Sequence, residues 1–132
     1  MTSLCRRTVL LAPLGYLVAC SQARWYRPAP LTGGVIRVPL SELDADGFIQ
    51  VDLGKDAFML QRGAGGELSA VTLTCSHQGC AVSKRRDELV CPCHGSRFDL
   101  RGAVLNGPAT EPLTTYRVEV EGPTALVYLE RA

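Results

Sequence analysis

Cys75-Ser-His77-Gln-Gly-Cys80, and then Cys91-Pro-Cys93-His94-Gly-Ser96, hold both histidines of the chain and four of its six cysteines. So many soft or borderline ligands in one window specify a metal site rather than packing. Each half supplies one Cys and one His, Cys75-x-His77 and Cys91-x-x-His94, and Cys80 and Cys93 stand in matching places beside them. A Cys2His2 set suits zinc or an iron–sulfur centre. Zinc would leave Cys80 and Cys93 without a role, and a purely structural set of disulfides would ignore both histidines.

This arrangement resembles the Rieske family of [2Fe–2S] proteins, from Cys75 to Ser96 and on through Phe98-Asp99 and Asn106-Gly107-Pro108-Ala109. The spacer from His77 to Cys91 is shorter than in the respiratory-complex members. The resemblance implies an all-β fold, a β sandwich with a small inserted cluster-binding subdomain over about Thr74 to Leu105. It implies a [2Fe–2S] cluster held by Cys75 and Cys91 on the inner iron and by His77 and His94 on the outer one. It also implies a Cys80–Cys93 disulfide that clips the two ligand loops.

Replacing two thiolates by neutral imidazoles removes negative charge, so adding an electron costs less and the reduction potential rises to roughly −150 to +300 mV. The imidazoles keep a second nitrogen free, so proton uptake couples to electron uptake. In the family, a serine matching Ser96 donates to a bridging sulfide, and a tyrosine two residues on donates to a ligand sulfur. Here Phe98 takes the tyrosine's place, which predicts a lower potential than a Ser-plus-Tyr homologue has. Gly107-Pro108-Ala109 resembles the family's proline loop over the cluster, with Thr110 where a second proline is frequent and Pro112 just beyond.

The rest of the chain fits a turn-rich β protein. Thirteen Gly, eight Pro and 6% aromatics disfavour a helical bundle. Ile49, Val51 and Leu53 alternate with Gln50 and Asp52, and Tyr116, Val118 and Val120 alternate with Arg117, Glu119 and Glu121. Val71, Leu73 and Cys75 share a face, so one strand feeds the first ligand loop. The apolar run Ala125 to Leu129 predicts a buried strand. Asp46-Gly47, Gly63 to Gly66, Asn106-Gly107 and Glu121-Gly122-Pro123 mark turns, with a short helical turn at Ser41-Glu42-Leu43. Lys84-Arg85-Arg86 reads as a solvated hairpin tip. With 14 basic and 13 acidic residues the net charge is +1, which offers nothing to nucleic acid.

Residues 1–20 read as an export signal. Arg6-Arg7 precedes an apolar stretch, Thr8 to Ala19, that is shorter than the about 20 residues of a spanning helix. Leu17-Val18-Ala19-Cys20 resembles a bacterial lipobox, which makes Cys20 the lipidation site and the membrane surface the destination. Arg6-Arg7-Thr8-Val9-Leu10 also resembles the twin-arginine signal for folded export. An exported location, on the periplasmic or cell-surface side, agrees with a disulfide. Residues 21–34 read as a semi-extended tether with a reach of roughly 43 Å at about 3.1 Å per residue. Within it, Trp25 and Tyr26 suit either the headgroup zone or docking onto the domain, which spans 35–132. The expected function is one-electron transfer by a membrane-tethered carrier or subunit of an extracytoplasmic redox complex. Cytochrome or oxidase subunits, and quinol, are the expected partners. A subunit of a quinol:cytochrome c oxidoreductase and the small subunit of an arsenite-type oxidase both fit. A dioxygenase ferredoxin fits less well, because such ferredoxins normally lack the Cys80/Cys93 pair and an export signal. No nucleophile, base or substrate pocket points to stand-alone catalysis.

Overall fold

The computed structural model describes residues 24–29 and 33–131. The export signal, the lipobox at Cys20 and part of the tether lie outside the described residues. Among the described residues there are eleven strands: β1 Trp25–Tyr26, β2 Val35–Pro39, β3 Phe48–Asp52, β4 Ala57–Arg62, β5 Leu68–Thr72, β6 Ser83–Arg85, β7 Glu88–Val90, β8 Arg97–Asp99, β9 Val104–Asn106, β10 Thr115–Glu121 and β11 Thr124–Arg131. The helical turn expected at Ser41 is a 3-10 turn over Leu40–Glu42.

Seven strands form one hydrogen-bonded sheet in the order β1-β3-β4-β5-β10-β11-β2. Its continuity rests on a narrow corner, because β5 and β10 pair only through Val71↔Thr115 and Ala70↔Tyr116. At that corner the sheet folds over itself into a sandwich. Ile49, Val51, Phe58, Leu60 and Ala70 of one half pack against Ile36, Val38, Ala125 and Val127 of the other. The far edges also approach, where the Tyr26 hydroxyl donates to the Arg37 carbonyl at 3.4 Å.

A second sheet, in the order β6-β7-β8-β9, packs on the outer face of β4 and β5. Met59 and Val71 meet Val82, Leu89 and Phe98 there, together with Cys75, Cys91, Ala109 and Leu113. Strand β4 is therefore covered on both sides, and Phe58, Met59 and Leu60 are all fully buried. Each such side chain contributes about 1.5–3 kcal/mol by leaving water.

This second layer explains where the sequence pattern misleads. Alternation in β3 places Gln50 on a solvent face, yet Gln50 is buried, and its side-chain oxygen has no partner among the described residues. Gln61 sits under the same layer and donates to the Leu100 carbonyl at 2.5 Å and to Ser69 at 3.2 Å. The β10-β11-β2 half has only its inner face covered. Ala125 and Val127 are buried, while Leu126, Tyr128 and Leu129 are only half-buried, so the run expected to be wholly buried is one-sided. Val120 belongs to the apolar set of β10 by alternation but is 58% exposed.

The N-terminal strand changes the picture of the tether. Trp25 and Tyr26 pair in parallel with Gln50 and Val51 of β3. Arg27 Nε reaches an Asp52 carboxylate oxygen at 3.0 Å, and Arg24 reaches Glu42 at 3.2 Å. The Gly54 amide and the Arg27 guanidinium hold the Asp52 carboxyl below its ordinary value. Part of the stretch read as a tether is thus docked on the domain. No helix among the described residues is long and apolar enough to cross a membrane.

Candidate metal centre

The two sequence boxes become two loops of the same backbone design. The Cys75 amide donates to the Cys80 carbonyl at 2.8 Å, and the Gly79 amide donates back to the Cys75 carbonyl at 2.9 Å. In the second loop the Cys91 amide donates to Ser96 at 2.8 Å and the Gly95 amide to Cys91 at 3.1 Å. Gly79 and Gly95 have φ of 74° and 79°, a region a side chain would strain. The first loop follows β5 and is closed by a bridge between Thr74 and Ala81. The second joins β7 to β8, where Val90 pairs with Arg97.

This backbone equivalence corrects the expected correspondence of the extra cysteines. It superposes Cys75 on Cys91 but Cys80 on Ser96, and His77 on Cys93. Cys80 and Cys93 therefore hold unlike places in their loops, and they meet because the loops face each other.

At that meeting point Cys80 and Cys93 form a disulfide with a Cα–Cα distance of 6.5 Å. Cys75 and Cys91 remain reduced and are 3% and 2% exposed. His77 and His94 are exposed, with ring centroids 5.0 Å apart and rings nearly perpendicular, at 88°. Two buried thiols below and two solvent-facing imidazoles above make an asymmetric N/S donor set. The Sγ atoms of Cys80, Cys91 and Cys93 also lie within 4.8 Å of one another. Two of those sulfurs are spent in the disulfide, which leaves Cys75 and Cys91 as the reduced cysteines among the described residues, beside His77 and His94.

The segment from Gly107 to Leu113 lies beside both loops. The Gly107–Pro108 peptide is cis. The Ala109 amide donates to the Ser96 hydroxyl at 3.0 Å, with Ser96 fully buried. The Ser76 hydroxyl donates to the Glu111 carbonyl at 2.6 Å. One serine from each loop thus pins this segment, and the Leu113 amide adds a bond to Gly102 at 2.8 Å. Phe98, two residues after Ser96, is completely buried between β4 and the ligand loops. Sequence reasoning missed Ser76 and Gly102, which carry no motif of their own. The repeated Cys-x-x-x-Gly spacing at Cys75/Gly79 and Cys91/Gly95 was legible and is what reveals the paired loops.

Residues 35–117 match the family model of the Rieske [2Fe-2S] domain. The chain belongs to the Rieske family. The cytochrome b6-f complex iron-sulfur subunit of Chlorobaculum thiosulfatiphilum is 37% identical over 65 residues, 48% of this chain and 36% of that protein. The chain therefore spans about a third of the length of such curated relatives. Among solved structures, the cyanobacterial plasma membrane Rieske protein PetC3 from Synechocystis PCC 6803 is 38% identical with a TM-score of 0.59, covering 67% of this chain and 93% of that one. The ferredoxin of carbazole 1,9a-dioxygenase from Nocardioides aromaticivorans IC177 is 29% identical, with a TM-score of 0.56 over 73% of this chain and 98% of that one. The cofactor of this Rieske domain is a [2Fe–2S] cluster, and its chemistry is one-electron transfer. The buried thiols and exposed imidazoles fit that group by donor type, because soft sulfur and borderline nitrogen are the ligands iron–sulfur centres of raised potential take.

Proposed function

We propose that Cys75, His77, Cys91 and His94 ligate the cluster, with the two histidines presenting the electron-transfer edge. The carrying observation is the pair of exposed imidazoles set 5.0 Å apart over two buried, reduced cysteines. The bound cluster supplies a one-electron acceptor of raised potential. The chain's own residues do the rest. Cys80–Cys93 ties the loops, Ser96 offers a buried hydroxyl proton, Phe98 excludes water, and Gly107-Pro108 with Ala109 shields one side. Ser96 accepts from Ala109 and has no acceptor of its own among the described residues, so its proton remains for an anionic sulfur.

The chain acts as a tethered one-electron carrier or subunit of a quinol:cytochrome-type oxidoreductase at a membrane surface. Its likeness to a cytochrome b6-f subunit and to a plasma-membrane Rieske protein supports this reading. The leader and Cys20 add an exported, lipid-anchored location with a cytochrome or oxidase subunit as partner. The ferredoxin reading draws on the match to the carbazole dioxygenase ferredoxin. The Cys80–Cys93 disulfide favours the exported reading over it, because a structural bridge belongs to an oxidising compartment.

EPR of the reduced protein tests the cluster, and a diamagnetic, zinc-loaded sample would end the assignment. Protein-film voltammetry across pH separates the partners. A low potential without pH slope counts against quinol chemistry. Labelling cells with a radioactive fatty acid tests the anchor, with the label expected on the chain and lost in Cys20→Ser.

A further inference from the structure

The sulfur trio at Cys80, Cys91 and Cys93 has a consequence for the cluster-free protein. Cys91 is reduced and buried, and its Sγ lies within 4.8 Å of both sulfurs of the disulfide. Cys75, the other reduced cysteine among the described residues, does not belong to this group. Thiol–disulfide exchange needs a thiolate with access to a disulfide sulfur, and the solvation of the leaving sulfur helps choose which bond breaks. We propose that departure of the cluster triggers an internal exchange in which Cys91 attacks the Cys80–Cys93 bridge.

This rests on the reading of Cys91 as a cluster ligand, since a ligand sulfur is released as thiolate. The Cys91 thiolate attacks Cys80 Sγ. A Cys80–Cys91 bond forms, the Cys80–Cys93 bond breaks, and the electron pair leaves on Cys93 Sγ, which then takes a proton from water. One disulfide is present before and after, so no oxidant or reductant is required. Cys80 is the sulfur attacked because Cys93 is exposed and Cys80 is only half-buried, so the departing charge enters solvent when it leaves on Cys93. The alternative product, a Cys91–Cys93 bridge across Pro92, would have to close a ring over a single intervening residue. The exchanged chain has lost one of two thiolate ligands to a bond and is locked against reloading. Bound cluster and correct disulfide therefore protect each other, and cluster loss becomes a one-way event until a thiol reverses it.

The test starts from the cluster-loaded full chain, with iron content and EPR recorded first, so that failure of the ligand reading is seen separately. Iron is then removed by chelator without oxygen, samples are quenched in acid and alkylated, and disulfides are mapped by mass spectrometry. The Cys80–Cys91 peptide should rise from absent to the major species, at a rate independent of protein concentration. Cys93 should become alkylated in step, with Cys75 alkylated throughout. Cys91 should stay closed to the alkylating reagent until a small thiol is added and should react with it afterwards. A map that keeps Cys80–Cys93 with Cys75 and Cys91 both alkylated overturns the proposal, as does a new bridge that joins Cys75 rather than Cys91 to Cys80 or Cys93.

Discussion

The hydroxyl of Ser96 accepts the amide of Ala109 at 3.0 Å, with both residues buried. This bond joins the Cys91–Ser96 loop to the Gly107–Leu113 segment. Removing it leaves a buried amide unsatisfied, which costs about 1–3 kcal/mol. Ser96→Ala should lose that much stability in urea denaturation of the loaded protein and should also show a lower reduction potential by voltammetry. Ser76 is exposed, so Ser76→Ala should cost no more than about 1 kcal/mol, the usual net value of one hydrogen bond.

Phe98 is fully buried in the cluster of side chains that includes both reduced cysteines. Phe98→Tyr places a hydroxyl donor there. The potential should rise, because a donor to a ligand sulfur stabilises the more negative, reduced state. An unchanged or lower potential would show that the new hydroxyl does not reach a ligand sulfur.

Gly102 lies where the site segment crosses β5. A Cβ there would stand 2.9 Å from Val71 Cγ2 and 3.1 Å from Leu113 Cβ, and the backbone φ is 91°. Gly102→Ala should destabilise by about 1–3 kcal/mol through overpacking, with backbone strain adding about 1–2 kcal/mol. Chemical denaturation measures this, and faster bleaching of the cluster should accompany it because Leu113 anchors the Gly107–Leu113 segment to Gly102.

The docking of β1 depends on pH through Asp52. Its carboxyl is held below the ordinary value of 3.8 by the Gly54 amide and Arg27. A lowered folded value means that the stabilisation is complete above the unfolded value and is lost as pH falls through the folded one. Below about pH 4 the Arg27 contact should therefore weaken. Trp25 is the only tryptophan of the chain, so its emission reports on β1 directly. The emission should change on acidification in the wild type. In Asp52→Asn the acid-linked change should be smaller.

Much of this centre was legible before any folding. The paired boxes name the donor types, and the spacing places two Cys-His sets on two short loops. The turn residues Asp46-Gly47, Gly63 to Gly66 and Glu121-Gly122-Pro123 punctuate the strands as read. Period-2 alternation, however, reports only that a strand has two faces. It does not report what covers the second one. Gln50 reads as exposed but lies buried between Trp25 and Met59 on the neighbouring strands, and Val120 reads as apolar core but lies exposed.

The chemistry is local: two thiols, two imidazoles, two further cysteines and the glycines that turn each loop all lie in one window of the chain. The relations among them come from the folded packing. It faced the loops so that Cys80 meets Cys93, set the His77 and His94 rings 5.0 Å apart and brought Cys91 within reach of the bridge. It also pinned the Gly107–Leu113 segment through Ser76 and Ser96 and docked β1 on β3. The reason is physical. Ligand type and turn propensity are set within a few residues, whereas these distances follow from how the second sheet packs on β4 and β5, a consequence of apolar burial between segments far apart in the chain.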